Sequence, residues 1–223
     1  MHSNLEYNKT SIEYIMSKKI ICKFCDGKFG SKQIINHRRE CLSNFYKDKK
    51  GYLISMYSYG ISGQIYELYI IVNKGCKLHD IDMLLKKIWC ECCGHLSMFE
   101  LCVDGDNGYE EKEISKKTKL TNYEIGAKIM YTYDMGTTTT VFIEIIKELK
   151  GKINSDNIIE LVYRNDKPLI KCKKCRKKAK FLKEGIPFCH SCSKCSDSES
   201  NDSDNYDLAK IVNSPRAGVC GYS

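Results

Sequence analysis

From Gln64 to Asn73 the chain reads QIYELYIIVN. Alternation at period two puts Ile65, Glu67, Tyr69 and Ile71 on one face and Tyr66, Leu68, Ile70 and Val72 on the other. One face is wholly apolar and the other nearly so, which predicts a central strand rather than one with a wet side. The period then changes. In LHDIDMLLKKIW, Leu78, Ile81, Leu85, Ile88 and Trp89 fall along one helical stripe, with Lys86 and Lys87 turned outward. SMFELCVDG returns to a strand and runs into a DGDNG turn. AKIMYTYDMG and TTTTVFIEIIKEL predict two more strands joined near Gly136, and NIIELVYRN another. Residues 110–124 are charged and are expected to form a mobile loop. Residues 44–60 are rich in Tyr and Lys, with Gly51 and Gly60 as breaks. The order is strand, helix, then strands with short connections. It predicts an α+β fold, a mostly antiparallel sheet with one or two packed helices, rather than a βαβ repeat.

The flanks differ from this middle. Residues 1–18 read as a flexible arm with a short helical tendency, 19–45 as a zinc finger and 50–166 as the α+β core. Residues 167–195 read as a zinc ribbon, 196–208 as an acidic, Ser-rich linker, and 209–223 as a C-terminal segment that docks on the core. The 223 residues carry 36 Lys and Arg against 28 Asp and Glu, a formal net charge of +8. Such a surplus allows an acidic partner without requiring one. No apolar run reaches the length of a membrane span, so no membrane partner is expected. The N-terminus lacks the basic head and apolar block of a secretory leader.

Cysteine changes the picture most. Fourteen cysteines in 223 residues should produce about one CxxC by chance. The chain holds five: Cys22/Cys25, Cys90/Cys93, Cys172/Cys175, Cys189/Cys192 and Cys192/Cys195. Without a leader, metal thiolates in a reducing compartment, cytoplasm or nucleus, are the expected use, rather than disulfides.

Two sets have ligand spacing. In CKFCDGKFGSKQIINHRREC, a knuckle offers Cys22 and Cys25, and a following helix offers His37 and Cys41 one turn apart. Phe29 and Ile34 lie between them, where so short a unit needs its apolar side chains. A unit of this size cannot bury enough surface to fold unaided, and a zinc ion would supply the missing free energy. The segment resembles the C2HC-type zinc fingers. The second set is Cys172, Cys175, Cys189 and Cys192, two knuckles thirteen residues apart, a ribbon pattern that closes a tetrahedron of thiolates. His190 or Cys195 could replace one of these ligands. Two zinc ions are therefore expected. A third group is Cys92, Cys93 and His95 in WCECCGHLSMFEL, joined by Cys220 if the C-terminal segment docks there. It could form a metal site or a thiol cluster. Pro215, Arg216 and Cys220 together in a turn-rich ending point to such docking, with Arg216 pairing a core carboxylate such as Asp134.

YELYIIV, the helix after it, WCECCGHLSMFEL, KIMYTYDMGTTTT and IIELVYRNDKP together resemble the Ri-plasmid open-reading-frame-three-like family, often labelled insertion-element passenger proteins. The resemblance spans roughly residues 60–223. It is carried by Trp89, His95-Leu96, Phe99 and Tyr133-Asp134-Met135-Gly136. Many members continue with Asp, Trp and His. Here Thr137 to Thr140 stand instead, as in a branch with a CCGHLS motif and a C-terminal zinc module. The resemblance implies no defined activity, and the chain has no recombinase motif.

Residues 167–194 carry ten Lys and Arg against one acid, Glu184, and residues 196–207 carry five acids and no base. Lys173, Lys174, Arg176, Lys177 and Lys178 are the candidate nucleic-acid contacts. The expected function is a non-enzymatic zinc protein that binds DNA or RNA, linked through the resemblance to mobile elements. The alternatives are an adaptor between proteins, and a thiol- or metal-dependent enzyme at Cys92, Cys93 and His95 with Asp134 or Cys220.

Overall fold

A computed structural model describes residues 19–90, 94–105, 108–154, 156–194 and 208–222. The N-terminal part forms β1 (Ile20–Ile21), β2 (Lys28–Phe29) and α1 (Ser31–Phe45). The middle holds β3 (Lys49–Tyr59), β4 (Ile65–Val72), α2 (Leu78–Leu85), β5 (Ser97–Gly105), β6 (Gly108–Ile114), β7 (Lys128–Tyr133), β8 (Thr139–Lys150), β9 (Ile153–Asn154) and β10 (Ile159–Arg164). Then come β11 (Phe181–Lys183), β12 (Ile186–Phe188), α3 (His190–Lys194) and β13 (Ala209–Lys210).

Eight strands form one sheet in the order β10-β4-β3-β8-β7-β5-β6, with β9 beside the start of β3. Every pairing is antiparallel except β3 with β9. The fold is α+β, with a mostly antiparallel sheet and few helices.

Strand β4 decides how the layers stack, because both its faces are apolar. Tyr66, Leu68, Ile70 and Val72 join Ile54, Ile143, Tyr131 and Phe99 in the main core, which is closed by Leu78, Ile81 and Leu85 of α2 and by Trp89 just after it. Tyr69 and Ile71 enter a second core on the opposite face with Leu53, Leu149, Tyr163 and Leu42 of α1. The sheet therefore lies between α2 and α1, and the helix with finger spacing is one of its covering layers. Glu67 would be a polar defect in that second face, but Arg38 of α1 forms a buried ion pair with it. Arg39 clamps Glu144 of β8 with two bonds, 3.0 and 2.6 Å.

Two segments depart from the sequence reading. Residues 49–59, where Gly51 reads as a break, form a continuous strand at the middle of the sheet. Gly51 is required there for another reason: a Cβ would meet the Val72 carbonyl oxygen at 2.4 Å. The start of the expected loop at 110–124 belongs instead to β6, whose Glu110, Glu111, Lys112 and Glu113 are exposed. Charge here marks a sheet edge, where it discourages pairing with another chain, rather than an absence of structure.

Helix α2 passes into a wider π turn over Lys86–Cys90, which buries both Trp89 and Cys90. Asp82 lies inside the apolar stripe and is only 3% exposed. It is the acceptor for Ser97 Oγ at 2.7 Å, Tyr131 OH at 2.9 Å, and the ammonium groups of Lys86 and Lys116 at 3.1 and 3.2 Å. Burial alone would raise its pKa. The bonds from Ser97, Lys86 and Tyr131 outweigh that and hold the carboxyl below its ordinary range. It thus ties α2 to β5 and β7. A carboxyl with a depressed folded pKa contributes stability above its unfolded pKa, and that stability is lost as pH falls through the folded value. Asp82→Ala is expected to destabilise the fold by about 3 kcal/mol near neutral pH, since it strands buried donors. The deficit should shrink as the pH falls through the depressed folded pKa, because the wild-type carboxyl is then neutral as well. Urea unfolding followed by Trp89 fluorescence measures both.

Candidate metal centres

The finger and the ribbon are built on the same backbone turn. In the finger, the Cys22 N–H donates to Gly27 O (2.9 Å), the Asp26 N–H donates to Cys22 O (3.0 Å), and Asp26 has φ 55°. In the ribbon, the Cys172 N–H donates to Lys177 O (2.7 Å), the Arg176 N–H donates to Cys172 O (3.0 Å), and Arg176 has φ 63°. Each turn aims the thiols of a CxxC to one side. The second half of each set comes from a helix: His37 and Cys41 on α1, and Cys192 on α3 with Cys189 just before it.

The ligand atoms of Cys22, Cys25, His37 and Cys41 all lie within 4.8 Å of one another, as do those of Cys172, Cys175, Cys189 and Cys192. Both sets could hold a metal ion. With zinc–sulfur bonds near 2.3 Å and zinc–nitrogen bonds near 2.0–2.1 Å, a tetrahedron has edges of about 3.8 Å between sulfurs and about 3.6 Å from sulfur to nitrogen. Cys22 and Cys41 are 3.8 Å apart, Cys175 and Cys189 3.5 Å, and Cys25 Sγ and His37 Nε2 3.2 Å. The donors therefore suit a tetrahedral ion that prefers sulfur and nitrogen. Phe29 stacks on the His37 ring at 3.7 Å, which fixes its orientation, and Ile34 is buried.

The thiols within each set titrate apart. Burial opposes ionisation of Cys22, but the N–H groups of Phe24 and Cys25 outweigh it and lower its pKa. Burial and the Cys22 and Cys25 thiols push Cys41 up to about 12. In the ribbon, burial of Cys172 is outweighed by the N–H groups of Cys175, Cys189 and Lys174, and its pKa falls to about 6. Bonds to the Cys175 and Cys189 thiols push Cys192 up to about 12. Thiolates this close cannot all be charged at neutral pH unless a cation compensates them.

His190 is not in the ribbon set; it is exposed, with its ring 6.0 Å from that of Phe181. Cys195 lies outside the described residues, as do Cys92 and Cys93. Of the third group, His95 and Cys220 are brought together, Nε2 to Sγ 3.4 Å. Asp134 Oδ2 is 3.8 Å from the same His95 nitrogen. A nucleophile–base–acid chain needs the carboxylate on the opposite ring nitrogen. Asp134 is instead bonded to Arg216 at 2.9 Å, and that bond, with the N–H of Thr137, lowers its pKa. Lys173, Lys174, Arg176, Lys177 and Lys178 are all exposed around the ribbon knuckle.

Sequence reasoning missed Arg38, Glu67 and Asp82. Glu67 was visible as the one charge in an otherwise apolar strand face. Arg38 sits next to a ligand in a helix read only for its ligands.

No protein-family profile matches the chain, and no curated protein matches it significantly. Among solved structures, one similar chain is a protein of unknown function, MM3350 from Methanosarcina mazei Go1. The two are 21% identical, with a TM-score of 0.41 over 51% of this chain and 67% of that one. Among the described residues no helix is long and apolar enough to cross a membrane.

Loss of the two ions should have different consequences. Cys25→Ala and Cys175→Ala are each expected to lower the bound metal by one ion per chain, measured by native mass spectrometry. Cys25→Ala should also destabilise the sheet by about 2 kcal/mol or more, because loosening α1 uncovers Leu42 and the Arg38–Glu67 pair. Cys175→Ala should leave the main core intact. Trp89 fluorescence during unfolding distinguishes them.

Proposed function

We propose that the protein is a non-enzymatic zinc protein whose C-terminal ribbon binds nucleic acid through the phosphate backbone. The ions are zinc, held by Cys22, Cys25, His37 and Cys41 and by Cys172, Cys175, Cys189 and Cys192. Four protein ligands leave no open position for substrate or water, so the ions act as structural centres. The observation that carries the nucleic-acid reading is the knuckle itself. Lys173, Lys174, Arg176, Lys177 and Lys178 project from one tight turn, exposed, and none forms an ion pair with a described carboxylate. Exposed cations on a rigid turn attract phosphate at long range and lose little order on contact. One finger and one ribbon offer few base-edge contacts, so binding is sequence-tolerant.

A protein partner is a second reading, and an aromatic surface favours it. Tyr57 stacks on Phe142 at 5.0 Å, and Tyr59 is 58% exposed beside them. The neighbouring cavity, about 200 Å³, is lined by Ile35, Arg39, Ile65 and Tyr69. Such an aromatic patch with an arginine is the composition of an interface anchor.

Salt decides between the two. If five phosphates are neutralised, log K for duplex DNA should fall with a slope near −4.5 against log salt. Charge reversal at Lys173, Lys174, Arg176, Lys177 and Lys178 should abolish that slope, and deleting residues 196–207, with their five acids, should tighten binding. Unchanged affinity for DNA and RNA after the charge reversal would overturn the nucleic-acid reading.

A further inference from the structure

The C-terminal segment is fastened to the core by more than apolar contact. Arg216, only 1% exposed, bonds to Asp134 Oδ2 at 2.9 Å, Thr137 O at 2.9 Å and Thr139 Oγ1 at 3.0 Å. Its guanidinium lies 4.9 Å above the Tyr133 ring. Ser214 Oγ donates to Trp89 O at 2.6 Å, at the end of the π turn. Asn213 Nδ2 donates to Asn165 O at 2.8 Å, and Arg164 donates to Asn213 O. Gly60 lets the segment approach: a Cβ there would meet Pro215 Cα at 3.1 Å and the Tyr66 ring at 2.5 Å. Fixed along this length, the segment delivers Cys220 to His95. Cys220 itself has φ 47°, which non-glycine residues seldom adopt without local constraint.

We propose that His95 and Cys220 are two ligands of a third metal ion of the zinc class, separate from the finger and the ribbon. Their separation, 3.4 Å from Nε2 to Sγ, matches the sulfur-to-nitrogen edge of about 3.6 Å expected for tetrahedral zinc. It lies close to the 3.2 Å between Cys25 and His37 in the finger. The position suits a bound ion. Cys220 is exposed, and the His95 side chain is partly so, which leaves a path from solvent. Asp134 sits 3.8 Å from the imidazole nitrogen and adds negative potential there, although it is bonded to Arg216. Borderline-soft donors, one thiolate and one imidazole, select zinc over calcium or magnesium. Water fills the other coordination positions. The ion would staple the end of the chain to the segment after Trp89, across 125 residues of sequence.

Metal counting tests the inference without reference to nucleic acid. The full chain, reduced and loaded with zinc, is weighed by native mass spectrometry. Three ions per chain are expected. Cys220→Ser and His95→Gln should each leave two, while both variants keep the ions lost in Cys25→Ala and Cys175→Ala. In the wild-type protein Cys220 should resist iodoacetamide when loaded and react at least tenfold faster after chelation, a readout that needs no variant to fold. Two ions in the wild-type protein would overturn the inference. So would three in Cys220→Ser, or equal alkylation of Cys220 with and without metal. The proposed function would survive any of these results, because it rests on the other two centres.

Discussion

Strand β4 has no face that water can wet. Tyr66, Leu68, Ile70 and Val72 need one cover, and Tyr69 and Ile71 need another. The first is α2, an amphipathic helix next in sequence. The second is α1, a helix that also carries two ligands of the finger set. The sheet therefore depends on the finger, and the finger gains a surface to rest on. Arg38 and Arg39 make the dependence specific, since each meets a carboxylate on a different strand, Glu67 on β4 and Glu144 on β8. An apolar contact would tolerate rotation of α1; two fixed guanidinium–carboxylate contacts define its register. The direction in which His37 and Cys41 face follows from that register.

The other end of the chain uses the same device. Arg216 is buried against Asp134, and the flanking segment is tied to the ribbon by β13, which pairs with β11. Ile170, Ala179 and Leu182 of the ribbon share a small core with Ala209, Ile211 and Ala217, and Ile61 of the main fold packs on it. The ribbon has few apolar residues of its own. It is held by the returning chain, which in turn is held by a buried charge pair that would be costly to break.

The sequence made parts of this plain. The two faces of β4, the stripe of α2, both tetrads and the pairing of Arg216 with Asp134 follow from local pattern or from residues unusual enough to need a partner. The strand β3 was hidden because Gly51 reads as a break, although its lack of a side chain is what lets Val72 approach. β6 was hidden by its charge, since an edge strand needs no apolar alternation. Asp82 and the Arg38–Glu67 pair were hidden for a deeper reason. Much of their meaning lies in contacts to other strands, such as Arg38 with Glu67 across 29 residues and Asp82 with Tyr131 across 49, which no local window contains. The approach of Cys220 to His95 followed from the turn-rich ending that predicts docking, while the bonds of Ser214 and Asn213 that fix its path could be read only from the fold.

Charge is distributed by the same rule that builds the layers. Inside the fold, cations are matched: Arg38 with Glu67, Arg39 with Glu144, Lys49 with Glu160, Lys86 and Lys116 with Asp82, Arg216 with Asp134. These pairs are buried or half-buried, so salt screens them little. At the ribbon knuckle the cations are exposed, and the nearest carboxylates in sequence are Asp166 and Glu184. Exposed charges lose most of their reach beyond a Debye length of about 8 Å at physiological salt. Ionic strength therefore acts on the two populations unequally. It leaves the charges that position the helices nearly untouched and weakens those on the ribbon. The pairs that hold α1 and the C-terminal segment in place are committed inside the fold, while the cations of the ribbon knuckle face solvent.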